Sequence, residues 1–185
     1  MPCAGVKYKT GCKASVRNLL LYPLTYIRLL ALVCSIVVFS CVADQLYNSQ
    51  SDRCVYNSNN SCCKYDLAVG VIGCGLCLIF VTKDIFYVVL NFSEHPRLHA
   101  TLLVTDCVIN GMCAVLWFAA FVLTSDQWRK TPTAFAASIN NCANGGVAFS
   151  FLSTLLWIAI VIGNVIPLIR TRRGYGLRSG YDPIG

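Results

Sequence analysis

The residues best able to do chemistry in this sequence are its twelve cysteines. Three of them bracket a polar turn, "CVYNSNNSCC", running from Cys54 to Cys62 and Cys63, and Cys142 stands far downstream. Thiols in such a group can hold a metal, attack a substrate or oxidise to a disulfide. The metal reading is weak, because no histidine is near and adjacent Cys62-Cys63 lacks CxxC geometry. A nucleophilic cysteine needs an electropositive, accessible setting. Cys107, the nearest candidate by sequence to a histidine, lies among apolar residues instead. His95 and His99 stand in "SEHPRLH", which is not the HExxH of a zinc protease. No GxSxG and no phosphate-binding loop occurs. No catalytic residue, metal ligand or cofactor is therefore expected, and disulfide chemistry remains. It requires an oxidising compartment, so the next question is where these cysteines sit.

The elements that place them are four apolar blocks. The chain has 185 residues, 56% hydrophobic and 12% charged, about half the charge of a soluble domain. Mean hydropathy is +0.62. The blocks run from about Leu24 to Ala43, Leu67 to Leu90, Leu102 to Leu123 and Val147 to Leu168. Each reaches the roughly 20 residues that cross a bilayer. They are apolar all round, whereas helices of a soluble bundle keep a polar stripe. The first block starts too late and runs too long for a cleaved signal peptide. The expectation is an all-α integral membrane protein, a bundle of four transmembrane helices. Residues 1–22 form an N-terminal arm, 23–168 the membrane domain and 169–185 a short disordered tail.

Lys and Arg near the span ends set sidedness. Eleven of them lie in the N-terminal arm, between spans two and three, after span four, or at the span ends on that side (Arg28 and Lys83), against four in the other two loops. Asp44, Asp52, Asp66 and Asp126 cancel those four, so the net charge of +7 belongs to one side. Both termini are expected to be cytoplasmic. The basic excess is a topology signal; it lacks the stacking aromatics of a nucleic-acid site, so the expected partners are lipid bilayer and no nucleic acid.

The cysteines now sort. Cys34, Cys41, Cys74, Cys77, Cys107 and Cys113 fall in spans, where cysteine acts as a small hydrophobe. Cys3 and Cys12, among basic residues in the cytoplasmic arm, are palmitoylation candidates. Cys54, Cys62, Cys63 and Cys142 face the oxidising side, and four cysteines allow three pairings. Closing Cys54 onto Cys62 or Cys63 would clip a short loop, worth about 2–3 kcal/mol. Asn59 begins an Asn-Asn-Ser sequon inside the same loop and is a glycosylation candidate.

Lipid-embedded helices associate through small residues and polar contacts. Gly70, Gly73, Cys74 and Cys77 make one flat packing face on span two. Asp106 and Asn110 share a face of span three, one turn apart. An ionisable group in a span is a functional candidate, but Asp106 lies near the cytoplasmic end, within reach of water or Arg97. Helix-pairing contacts are the expected role of both.

Several segments together resemble the synaptogyrin family, within the synaptophysin-like tetraspan vesicle proteins and the MARVEL domain. They are "CSIVVFSCVADQLYNS", "CVYNSNN" followed by "CKYDLAVGVIG", "TDCVINGMCAVLWFAAFVLTSDQW" and "VAFSFLSTLLW". In that pattern the second loop cysteine matches Cys63, which implies a Cys54–Cys63 disulfide. Cys62 and Cys142 are then extra, leaving a second pair between them open. The resemblance implies a non-enzymatic, multi-pass protein of synaptic or other small cytoplasmic vesicles. Its implied role is in vesicle biogenesis, membrane curvature and regulated exocytosis, in homo- or hetero-oligomers with other vesicle membrane proteins. The family's long Tyr/Gly/Pro/Gln-rich tail is very short here. The alternative reading is an oligomeric channel or transporter with a polar path at Asp106 and Asn110.

Overall fold

A computed structural model describes residues 23–48, 53–89, 96–132, 135 and 137–179. Among the described residues four helices carry the chain: α1 (Pro23–Cys41), α2 (Asn60–Val89), α3 (Pro96–Lys130) and α4 (Ala137–Ser179). Each contains a stretch long and apolar enough to cross a membrane: Leu24–Leu46, Asn60–Phe86, Thr101–Lys130 and Ala137–Ile166. Pro23 opens α1, where its missing N–H costs nothing because the first helical donors have no intrahelical acceptor. A π-helical turn, Val42–Leu46, extends α1 with Val42 and Leu46 facing inward. A two-stranded antiparallel ribbon follows, β1 (Tyr47–Asn48) and β2 (Arg53–Cys54), with Tyr47 opposite Cys54. Asn59 caps α2: its side-chain oxygen accepts from the Cys62 N–H at 3.4 Å.

The helices form a closed ring. α1 packs on α2 and α4, α3 packs most extensively on α4, and the α2–α3 contact is the slimmest. The centre holds Trp117, Trp157, Ile160, Val38 and Ala31. The outside is apolar too, with Leu30, Val33, Ile79, Val108, Met112, Val115 and Phe118 all exposed. That inversion of the soluble pattern suits a hydrocarbon surround. Trp117 and Trp157 are core residues.

Three helices outrun the apolar blocks that announce them. α2 begins at Asn60, before Leu67, and α3 continues to Lys130, past Leu123. α4 begins at Ala137, ten residues before Val147, and runs through position 167 to Ser179. The expected boundary at residue 168 therefore does not mark a helix end, and 169–179 are helical, not disordered. Hydropathy ends where lipid contact ends. A formed helix propagates further at little cost, because each added residue gains a hydrogen bond. The arm 1–22, with Cys3 and Cys12, lies outside the described residues.

Candidate functional site

The polar groups of the bundle gather at its two ends. At the end nearest the N-terminus, four charged side chains from three helices meet. Arg28 of α1 is 1% exposed and donates to the Asp84 carboxylate of α2. Its second guanidinium nitrogen lies 3.5 Å from the Asp106 carboxylate of α3. Lys83 donates to the same Asp106 carboxylate and lies 3.6 Å from Asp84. Both cations rest near the Phe80 ring, Arg28 at 5.0 Å and Lys83 at 5.4 Å from its centroid. Asn110, one turn above Asp106, donates from Nδ2 to the Asp106 carbonyl at 2.5 Å.

Two cations and two anions sum to zero, which is how charge can be held in a low-dielectric interior. The cluster bridges α2 to α3 where their packing is thinnest. The sequence singles out Asp106 and Asn110 but misses Arg28, which reads there as a flanking topology charge. Its position in the first turns of α1, facing inward, is the signal that could have found it. The described partners of Asp106 are Lys83 and Arg28; the Arg97 side chain lies outside the described residues.

The opposite end is closed by the first loop. Cys54 is bonded to Cys63, with an S–S distance of 2.01 Å. The Leu46 carbonyl accepts from the Val55 N–H at 2.9 Å, and Cys63 Sγ lies 3.5 Å from the same oxygen. The chain turns at Asn57 and Ser58, both in the left-handed region at φ 50° and 56°. Asn and Ser tolerate it because short polar side chains can hydrogen-bond locally. The turn drives Tyr56 into the bundle mouth, where it is fully buried. Its ring meets Trp128 edge-on at 6.2 Å, and its hydroxyl points at the Ala143 carbonyl, 3.5 Å away. Trp128 in turn donates from Nε1 to Asn144 Oδ1 at 2.8 Å. Asn57 donates its N–H to Thr131 Oγ1 at 2.9 Å and its Nδ2 to Gln127 Oε1 at 3.2 Å. The first loop is thus sewn to the end of α3 and the start of α4. The sequence showed the loop but not that Tyr56 is its plug.

Other singled-out residues fall as follows. A Cβ on Gly70 would lie 2.8 Å from Phe39 Cβ, and one on Gly73 would lie 2.9 Å from Ser35 Oγ. Both glycines therefore pass α1 at close range. Cys74 is half-buried and free. Asn59 is half-buried and occupied as the α2 cap. The Cys62–Cys142 pair is not made: both thiols are free. The reason is geometric, since Cys63 is drawn to Cys54 and its neighbour Cys62 turns inward beside Asp66. Asp66 itself is fully buried, and neither carboxylate oxygen has a hydrogen-bond partner. Among the described residues no group of three or more His, Cys, Asp or Glu could hold a metal ion.

Residues 19–162 match the family model of MARVEL, the membrane-associating domain. The chain belongs to the MARVEL family. It is a multi-pass integral membrane protein of that family, and the resemblance to synaptogyrins is borne out. It is 26% identical to synaptogyrin-2 of Bos taurus over 156 residues, covering 82% of this chain and 68% of the relative. It is 31% identical to synaptogyrin-1 of Homo sapiens over 155 residues, covering 80% and 65%. Synaptogyrin-2 of Mus musculus is 27% identical, covering 80% and 66%. The chain thus spans about two thirds of the length of these MARVEL relatives. The matched region contains the whole loop plug and the Arg28–Asp84–Asp106 cluster.

Proposed function

We propose that this MARVEL protein resides in the membrane of synaptic or related small vesicles and acts there by shape and association, not by catalysis. In this reading it contributes to vesicle biogenesis, membrane curvature and regulated exocytosis. Residues 23–168 are the working membrane domain, and both termini face the cytoplasm. The observation that carries the reading is the way polarity is distributed. The charges of Arg28, Lys83, Asp84 and Asp106 neutralise each other, the loop end is plugged, and the exterior is mostly apolar. Such a body interacts with lipid and with other membrane helices. The kinship with synaptogyrins supports the vesicle assignment. Oligomers with itself or with other vesicle membrane proteins would form through the exposed apolar faces. Palmitoylation at Cys3 and Cys12 would add a second membrane anchor near the N-terminus.

The alternative, a channel lined by Asp106 and Asn110, is the weaker one. Asp106 is engaged by two cations, and a permeating ion would have to displace them. Fractionation of cells expressing the tagged chain tests the vesicle reading: enrichment on small vesicles supports it, and exclusive plasma-membrane residence refutes it. Tags at each terminus, probed in sealed and opened membranes, test the orientation. Conductance in liposomes that is lost on Asp106→Ala would favour the channel.

A further inference from the structure

The last helix outlasts its apolar segment. The membrane-crossing stretch of α4 ends at Ile166, and the helix goes on to Ser179. Residues 167–179, "PLIRTRRGYGLRS", hold Arg170, Arg172, Arg173 and Arg178 and no acidic residue. Arg97 stands in the first turn of α3, at the same end of the bundle. Two of the acids on this side, Asp84 and Asp106, are already matched by Arg28 and Lys83. Only Glu94 and Asp182 remain against the other nine cations. Sidedness requires no more than such charges near a span. A continuing helix adds fixed heights above the lipid. At 1.5 Å per residue, Arg170 stands about 6 Å past Ile166, and Arg172 and Arg173 about 9–10 Å. The headgroup layer on each side is about 5–8 Å deep, within reach of the long arginine side chain from those heights. Arg178, about 18 Å past Ile166, is about one Debye length beyond that layer.

We propose that the basic end of α4, with Arg97 of the neighbouring α3, is a binding surface for anionic phospholipid headgroups. Charge and height select this occupant. Phosphate is the anion that a bilayer itself presents at that depth, and the planar arginine fork matches its oxygens with paired hydrogen bonds. A zwitterionic headgroup carries its own cation beside the phosphate. An anionic headgroup leaves net negative charge for the protein to meet, and basic clusters immediately beside a span select such lipids. The helix also needs a partner of this kind. Arg170 and Arg173 are three residues apart, a spacing at which like charges on a helix repel. Gly174 and Gly176 are poor helix formers. Anionic headgroups around these turns offset the repulsion and favour the helical form. The inference rests on the four spans, and on neither the vesicle assignment nor the sidedness proposed above.

The test uses the full chain, purified in detergent and reconstituted in phosphatidylcholine bilayers. Trace spin-labelled phosphatidylserine and spin-labelled phosphatidylcholine are compared by electron spin resonance, which separates lipid held at the protein from free bilayer lipid. Phosphatidylserine should associate about fivefold more strongly at low salt, the effect of one surface cation. The preference should fall as salt screens the charges. Combining Arg170→Gln, Arg172→Gln and Arg173→Gln should bring the ratio close to one. Combining Arg170→Lys, Arg172→Lys and Arg173→Lys should keep most of it, which separates loss of charge from loss of fold. Equal association of the two lipids with the wild type overturns the proposal, as does a preference that salt does not weaken. A preference that persists in the Gln variant also overturns it, because the contact then lies elsewhere, such as the basic residues of 1–22. Both faces of these bilayers carry the same lipid, so a reversed orientation leaves the result unchanged. The vesicle and orientation readings stand or fall by fractionation and by terminal tags.

Discussion

The Arg28 guanidinium of the first span donates to the Asp84 carboxylate near the end of the second, 56 residues later in the chain. Asp106 of the third span completes the contact. Removing the arginine leaves one buried and one half-buried carboxylate facing a single lysine. Breaking a buried ion pair by deleting one partner costs about 3–5 kcal/mol. Arg28→Met should therefore sharply lower the unfolding temperature in detergent. Adding Asp84→Asn should recover part of the loss, because it removes the uncompensated charge. Thermal unfolding of the single and double variants checks this; equal losses in both would argue that Arg28 acts by packing alone.

Gly70 and Gly75 lie on the same helix and make opposite predictions. A Cβ on Gly70 meets the Phe39 side chain at 2.8 Å and its backbone at 3.3 Å, whereas one on Gly75 meets nothing within 4 Å. Gly70→Ala should destabilise by about 1–3 kcal/mol, the usual cost of overpacking a close contact. Gly75→Ala should be neutral or slightly stabilising, since alanine is the better helix former. Detergent-resistance assays on the two variants suffice. A neutral Gly70→Ala would contradict the close approach of α1 and α2.

Cys54→Ser and Cys63→Ser should have the same effect as each other and as the double variant. The bond they share closes a short loop, worth about 2–3 kcal/mol. Its loss should also loosen the Tyr56 plug, visible as changed Trp128 fluorescence, because the two rings are in contact. Unequal single-variant effects would mean that one of the two thiols has another partner.

Tyr56 should make the protein sensitive to alkali. Burial first, then the nearby Asp66 and thiols, push its hydroxyl well above the ordinary tyrosine value, which is about 10. The folded state keeps a proton that the unfolded chain releases above about pH 10. Its contribution is therefore complete below that pH and falls as pH rises further. Unfolding temperatures measured from pH 8 to pH 11 should fall more steeply in wild type than in Tyr56→Phe. Parallel curves would show that the hydroxyl is not shielded.

Replacing the unpartnered carboxyl group of Asp66 should help the fold. Its carboxyl group is fully buried without a hydrogen-bond partner, which is costly whether the group stays ionised or must take up a proton to fold. Asp66→Asn keeps the shape and should raise the unfolding temperature at neutral pH. A lower temperature would point to a counter-charge reaching the site.

The sequence by itself determined that this chain has four spans, that they are helices, and which loop carries the disulfide. Those properties follow from local composition: twenty apolar residues can satisfy their backbone in lipid only as a helix, and cysteines around a polar turn stand out against that background. It also marked Gly70, Gly73, Asp106 and Asn110, because small and ionisable residues are conspicuous in an apolar run. The tertiary structure alone decided the partners. Arg28 reads as a flanking charge until α1 turns it toward Asp84. Tyr56 reads as a loop residue until the left-handed turn at Asn57 and Ser58 sends it into the bundle. Helix ends were hidden for the same reason. Polar residues such as Asn144 look like loop, yet they continue the helix because another segment, here Trp128, satisfies them. Which side chains meet depends on the rotation and register of four helices. In lipid both are set by packing contacts between residues far apart in the chain, and no stretch of sequence contains them.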